Sequence, residues 1–161
     1  KNLLSLGLSQ SCEALSQPSF THITMTREEF EKLIDEEFPK AVPEKFHHLL
    51  KNGAFLVDTE APDADLLGLY HGIPHTARGA HYGEGMTLPD TITLYQKTIE
   101  EEAAEIQQKQ HTNKLENVGV LYEECLRKVV RETIWHEVAH YLGYDEEQVR
   151  GREDKRDNGI L

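Results

Sequence analysis

The alternation of apolar and polar positions divides the chain into helices and short strands. Thr26-Arg-Glu-Glu29 reads as a capping box, and Phe30, Leu33, Ile34 and Phe38 follow at helical spacing. This predicts a helix from Thr26 to about Phe38, with Pro39 and Pro43 bracketing its end. Pro43 to Leu50 predicts a second short helix, closed by Asn52-Gly53. Ala54 to Asp58 alternates like a strand, Leu66 to His71 reads as a second, and Thr91 to Tyr95 as a third. In the third, Ile92 and Leu94 share one face and Thr91, Thr93 and Tyr95 the other. Thr98 to Gln110 is a charged helix. Lys114 to Leu142 is a long one, where Val118, Tyr122, Cys125, Val129 and Thr133 lead along one face to His136 and His140. Trp135 reads as a packing anchor of that helix. A last helix is expected from Glu146 to Glu153, and the highly charged run from Arg152 to Asn158 is expected to fray.

Two stretches lack such periodicity. Lys1 to Phe20 is rich in Ser, Gln and Leu and is expected to be a flexible extension, leaving residues 21–161 as one domain. Residues 71–86 hold His71, His75, His81, four glycines, Pro74 and Arg78, the composition of a mobile binding loop. Their histidines are candidates for substrate contacts or an auxiliary metal site, against the plainer reading of solvated surface histidines.

Composition narrows the function classes. A chain of 161 residues with 38% hydrophobic content suits a single core. A net charge of −12 argues against nucleic acid and anionic membranes as partners, which need basic patches, and suits cationic peptides better. No apolar run approaches the ~20 residues of a membrane span. Cys12 and Cys125 match neither a disulfide framework nor a zinc ribbon, so a reducing, cytoplasmic setting is expected.

The strongest chemical signal is His136-Glu137-Val138-Ala139-His140, the H-E-x-x-H pattern of zinc hydrolases. Residues four apart on a helix lie on one face, so both imidazoles can converge on one Zn2+. Glu137 is then placed to act as general base on the water the metal carries. This composition yields the pentapeptide by chance in roughly one shuffled chain in sixteen. Requiring Gly143 and an acid two residues later lowers that to about one in a thousand. Gly143 can end the helix in a left-handed turn, after which Asp145 and Glu146 follow at once. Glu146, ten residues after His136, stands where the longer metzincin signature puts its third ligand, and Asp145 is the alternative. The plainer reading makes these acids the first turn of the next helix, and the two readings are compatible.

Three blocks carry a wider resemblance: L-L-G-L-Y-H-G-I-P at Leu66 to Pro74 with Arg78 beyond it, L-P-D-T-I-T-L-Y at Leu88 to Tyr95, and V-V-R-E-T-I-W-H-E-V-A-H-Y-L-G-Y-D-E-E-Q-V at Val129 to Val149. In order and spacing the chain from about Thr26 to Arg150 resembles the minimal zincins, small bacterial zincin-like metallopeptidase domains. The resemblance implies a compact α+β zincin fold, a small mixed sheet of three or four strands packed on an active-site helix and further helices. It implies zinc held by His136, His140 and Glu146, Glu137 as catalytic base, and a peptide or protein as substrate. Family members often carry Asp at the position of Glu146, so this chain departs from the pattern there. Beyond zinc, Tyr144, His71 and Arg78 are candidates to stabilise an oxyanion, and the Leu66 to His71 strand is the candidate edge for an extended peptide.

Overall fold

The computed structural model describes residues 25–50, 53–79, 89–110 and 118–157. The expected extension at 1–20, Cys12, His81 and the rest of 80–88, and the start of the long helix at Lys114 lie outside the described residues.

Among the described residues five α-helices accompany a three-stranded sheet, the α+β arrangement expected: α1 (Arg27–Ala41), α2 (Glu44–His47), β1 (Gly53–Asp58), β2 (Gly68–His71), β3 (Asp90–Tyr95), α3 (Gln96–Gln110), α4 (Val118–Leu142) and α5 (Glu146–Asp157). The first helix opens as its capping box predicts, with Thr26 Oγ1 accepting from Glu29 N–H and the Glu29 carboxylate from Thr26 N–H. It does not stop before Pro39, however, and continues to Ala41. The bond that Pro39 forfeits is the one to exposed Asp35, and Val42 N–H still closes the last turn on Phe38 at 2.9 Å. Its buried stripe also holds a residue the apolar pattern omits, Glu37.

In the sheet β3 is central, parallel to β1 and antiparallel to β2. Two cross-strand rows, Phe55–Ile92–Tyr70 and Val57–Leu94–Gly68, share the inner face, where Ile92 and Leu94 are buried. The row Leu56–Thr93–Leu69 lies on the other face, and both leucines there are exposed. The second strand is shorter than expected, beginning at Gly68, although Leu67 C=O still accepts from Tyr95 N–H at 2.9 Å. β3 runs straight into α3, so that helix begins two residues earlier than its charge pattern suggests.

The core lies between the inner face of the sheet and α1, α3 and α4, with Val130, Ile134, Val138 and Tyr141 of α4 wholly buried. Burying each such apolar side chain contributes about 1.5–3 kcal/mol. Trp135 is buried with Ala139 and Val149, Phe46 packing alongside, as an anchor should be. The last helix overturns the expectation of fraying from Arg152, since it runs to Asp157. Its residues are mostly strong helix formers, and Arg150 pairs back to Glu146 one turn earlier at 2.8 Å.

Candidate active site

The site is built at the C-terminal end of α4 and the first turn of α5. His136 and His140 stand on successive turns with their Nε2 atoms 3.1 Å apart. Gly143 then takes φ 97°, a left-handed conformation that favours glycine, and a Cβ there would run into Thr76. Through this turn Tyr144 N–H reaches Ala139 C=O at 3.0 Å, and Tyr144 C=O comes back within 3.0 Å of His140 Nδ1. A carbonyl can only accept, so Nδ1 carries the proton and Nε2 keeps its lone pair for the site.

The two acids after the turn have different commitments. Asp145 caps α5: its Oδ1 accepts from Gln148 N–H at 2.9 Å, and Gln148 Oε1 accepts from Asp145 N–H at 3.1 Å. Glu146 turns toward the imidazoles, with Oε2 3.5 Å from His136 Nε2 and 3.3 Å from His140 Nε2. Its Oε1 accepts from Arg150 at 2.8 Å, and that hydrogen bond holds the carboxyl below its usual range and therefore ionised. A tetrahedral ion with bonds of about 2.0–2.1 Å has ligand atoms about 3.3 Å apart. The three separations match that spacing, and two imidazoles with a carboxylate are a donor set that zinc accepts. Among the described residues this is the one such cluster, and neither His71 nor His75 belongs to it.

Glu137 lies beside the cluster, only 6% exposed. Its Oε2 accepts from Tyr70 N–H of β2 at 2.7 Å, a contact across 67 residues. Burial pushes its carboxyl up, opposed by His136 and by the Tyr70 N–H. The close approach depends on Gly68, since a Cβ there would sit 2.8 Å from Thr133 Cγ2 and 2.9 Å from Glu137 Cγ. The lone glycine within an apolar strand was a legible sign of such a contact.

Of the three candidates for oxyanion contact, Tyr144 lines a cleft at the cluster. Arg78 is committed elsewhere: it donates to Ile73 C=O at 2.9 Å, to Tyr141 Oη at 3.1 Å and to the buried Asp90 carboxylate at 2.6 Å. This network ties the 72–78 segment to β3 and to the neighbour of His140, and periodicity gave no hint of it. His71 is exposed at the end of β2 and lines neither of the clefts that meet at the cluster.

Both clefts open on His136, Glu137 and Glu146. One, of about 560 Å³, runs between residues 65–68, α3 and α4, and the other, of about 600 Å³, between β2, the 72–77 segment and the Gly143 turn. With Gly68 lining both, they form a groove across the candidate centre. No helix among the described residues is long and apolar enough to cross a membrane.

The family model for Zincin-like metallopeptidase matches residues 51–156, from the start of β1 into α5. The chain belongs to that family. No curated protein matches it.

Proposed function

We propose that this protein is a zinc-dependent peptidase that holds its metal with His136, His140 and Glu146 and uses Glu137 as general base. The observation that carries the reading is the trio of donor atoms at tetrahedral spacing beside a buried glutamate whose second oxygen is left for chemistry. When bound, zinc supplies a Lewis acid that polarises the scissile carbonyl and acidifies its water. Glu137 is held through Oε2 by Tyr70, so Oε1 takes the proton from the attacking water and returns it to the leaving amine nitrogen. His140 keeps its Nε2 toward the metal because Tyr144 C=O holds its Nδ1–H. Of Tyr144, His71 and Arg78, Tyr144 is the one that lines the cleft without its side chain being committed elsewhere by hydrogen bonds, and it would be the donor to an oxyanion.

The partner is a peptide or protein, extended along β2, whose far edge pairs with β3 and whose near edge borders the groove. The net charge of −12 weighs against nucleic acid and an anionic membrane. The test is metal content per chain together with cleavage of an unbiased peptide library, for the natural protein and for Glu137→Ala. One zinc per chain, chelator-sensitive cleavage and its loss in Glu137→Ala with zinc retained support the reading. Zinc without cleavage favours the alternative, a non-catalytic protein with a structural metal site.

A further inference from the structure

The two arms of the groove differ in chemistry. The arm beside the Gly143 turn is walled by Leu69, Tyr70, Pro74, Ala77 and Tyr144, and apart from Glu137 and Glu146 of the candidate centre its one acid, Asp145, is spent on capping α5. The arm beside α3 is lined by the apolar Leu66, Leu67, Ile106 and Val129 and by the carboxylates of Asp65, Glu102 and Glu132. One cation, Arg150, lines it, and Glu146 already holds that guanidinium at 2.8 Å.

We infer that the arm beside α3 is a specificity pocket for a lysine or arginine side chain of the substrate. This rests on the peptidase reading and adds to it the kind of residue that is bound next to the cut. A long cationic side chain has an apolar stem and a charged tip, and the lining supplies both kinds of contact, apolar side chains and carboxylates. The cavity distinguishes these carboxylates from an ordinary solvated face: they surround a concave space of about 560 Å³ that opens directly on His136, Glu137 and Glu146. Glu132 also meets Lys128 at 3.4 Å, but both side chains are substantially exposed, and such a pair exchanges readily for a bound cation. A glutamate in the same position of the substrate would meet three like charges against the single guanidinium of Arg150, and an uncharged stem such as norleucine would gain the apolar contacts alone.

The test uses the full zinc-loaded chain and one peptide scaffold in which each position flanking the cut is in turn Lys, Arg, norleucine or Glu. At one flanking position Lys and Arg are expected to exceed norleucine about ten-fold in kcat/KM, with Glu lowest. Glu102→Gln should shrink the Lys-to-norleucine ratio about five-fold, and Glu102→Lys should reverse the order so that the Glu peptide is cut faster than the Lys peptide. Glu105→Lys makes the same charge change at an exposed position of α3 that does not line the pocket, and should leave the ratios within about two-fold. Cleavage without preference for a cation overturns the pocket and leaves the peptidase reading standing. A preference that Glu105→Lys alters as much as Glu102→Lys overturns it too, because the long-range field would then be the cause. Failure to cut any peptide with zinc bound removes the peptidase reading and the pocket together.

Discussion

Two buried glutamates contact the same helix and behave in opposite ways. Glu37 of α1 is fully buried against α4, where Arg131 at 2.6 Å, Arg127 at 2.7 Å and its own helix's Lys40 at 2.7 Å donate to its carboxylate. Burial alone would raise its pKa, but these three hydrogen bonds bring it down to about 2. Glu137, on α4 itself, is almost as buried but receives one backbone N–H and faces a groove, and burial pushes it up. Compensation, rather than burial, separates the two: a carboxylate with three cations fastens helices together, and one with a single donor keeps an oxygen for proton transfer.

The largest effect expected from breaking this contrast is catalytic. Glu137→Gln keeps the shape and the bond from Tyr70 but removes the base, so kcat/KM should fall about 10²–10⁴-fold while zinc content stays near that of the natural protein. Its stability in urea should change by less than about 1 kcal/mol, because the amide removes an under-compensated charge. Undiminished cleavage by this variant would take Glu137 out of the mechanism.

Glu37→Gln should show the reverse pattern. It strips three charge-assisted hydrogen bonds and should cost about 2–3 kcal/mol in urea unfolding, with kcat/KM per folded molecule changed less than about three-fold. The contrast extends to pH. The folded carboxyl titrates near 2 against an ordinary value of 4.5, so its stabilisation is complete above the ordinary value and is lost as pH falls toward 2. Acid unfolding of the natural protein and Glu37→Gln should therefore converge as pH drops through that window. A gap that stays constant down to pH 2 would assign the stabilisation to something other than charge.

Gly68→Ala should injure both functions at once, costing about 1–3 kcal/mol by overpacking against Thr133 and Glu137 and slowing cleavage by displacing the base. Of the two acids after the turn, Asp145 carries the smallest effect of the series. Asp145→Ala should lose about 1 kcal/mol as an N-cap and keep its zinc, whereas Glu146→Ala should keep the helix and release the metal, as metal analysis of both variants would read. The opposite pattern of metal loss would make Asp145 the third ligand.

Much of this was legible beforehand because it is local. The capping box at Thr26, the stacking of His136 above His140 and the left-handed glycine at 143 all depend on spacings of three or four residues, which the helix converts directly into geometry. Even Glu37 left a trace, since it continues the spacing of Phe30, Leu33 and Ile34 toward Ala41. Its three partners could not be read off, because two of them lie some ninety positions away.

The sequence by itself determined the order of helices and strands and a pair of imidazoles on one helical face next to a glycine stop, since each follows from short-range periodicity and backbone sterics. Only the tertiary structure decided which acid caps a helix and which turns to the histidines, that Arg78 is spent on Asp90 and Tyr141, and that Tyr70 of a distant strand holds Glu137. For Arg78 and Glu137 the hydrogen-bond partner lies on another element, brought near by burial of the core and not by position along the chain.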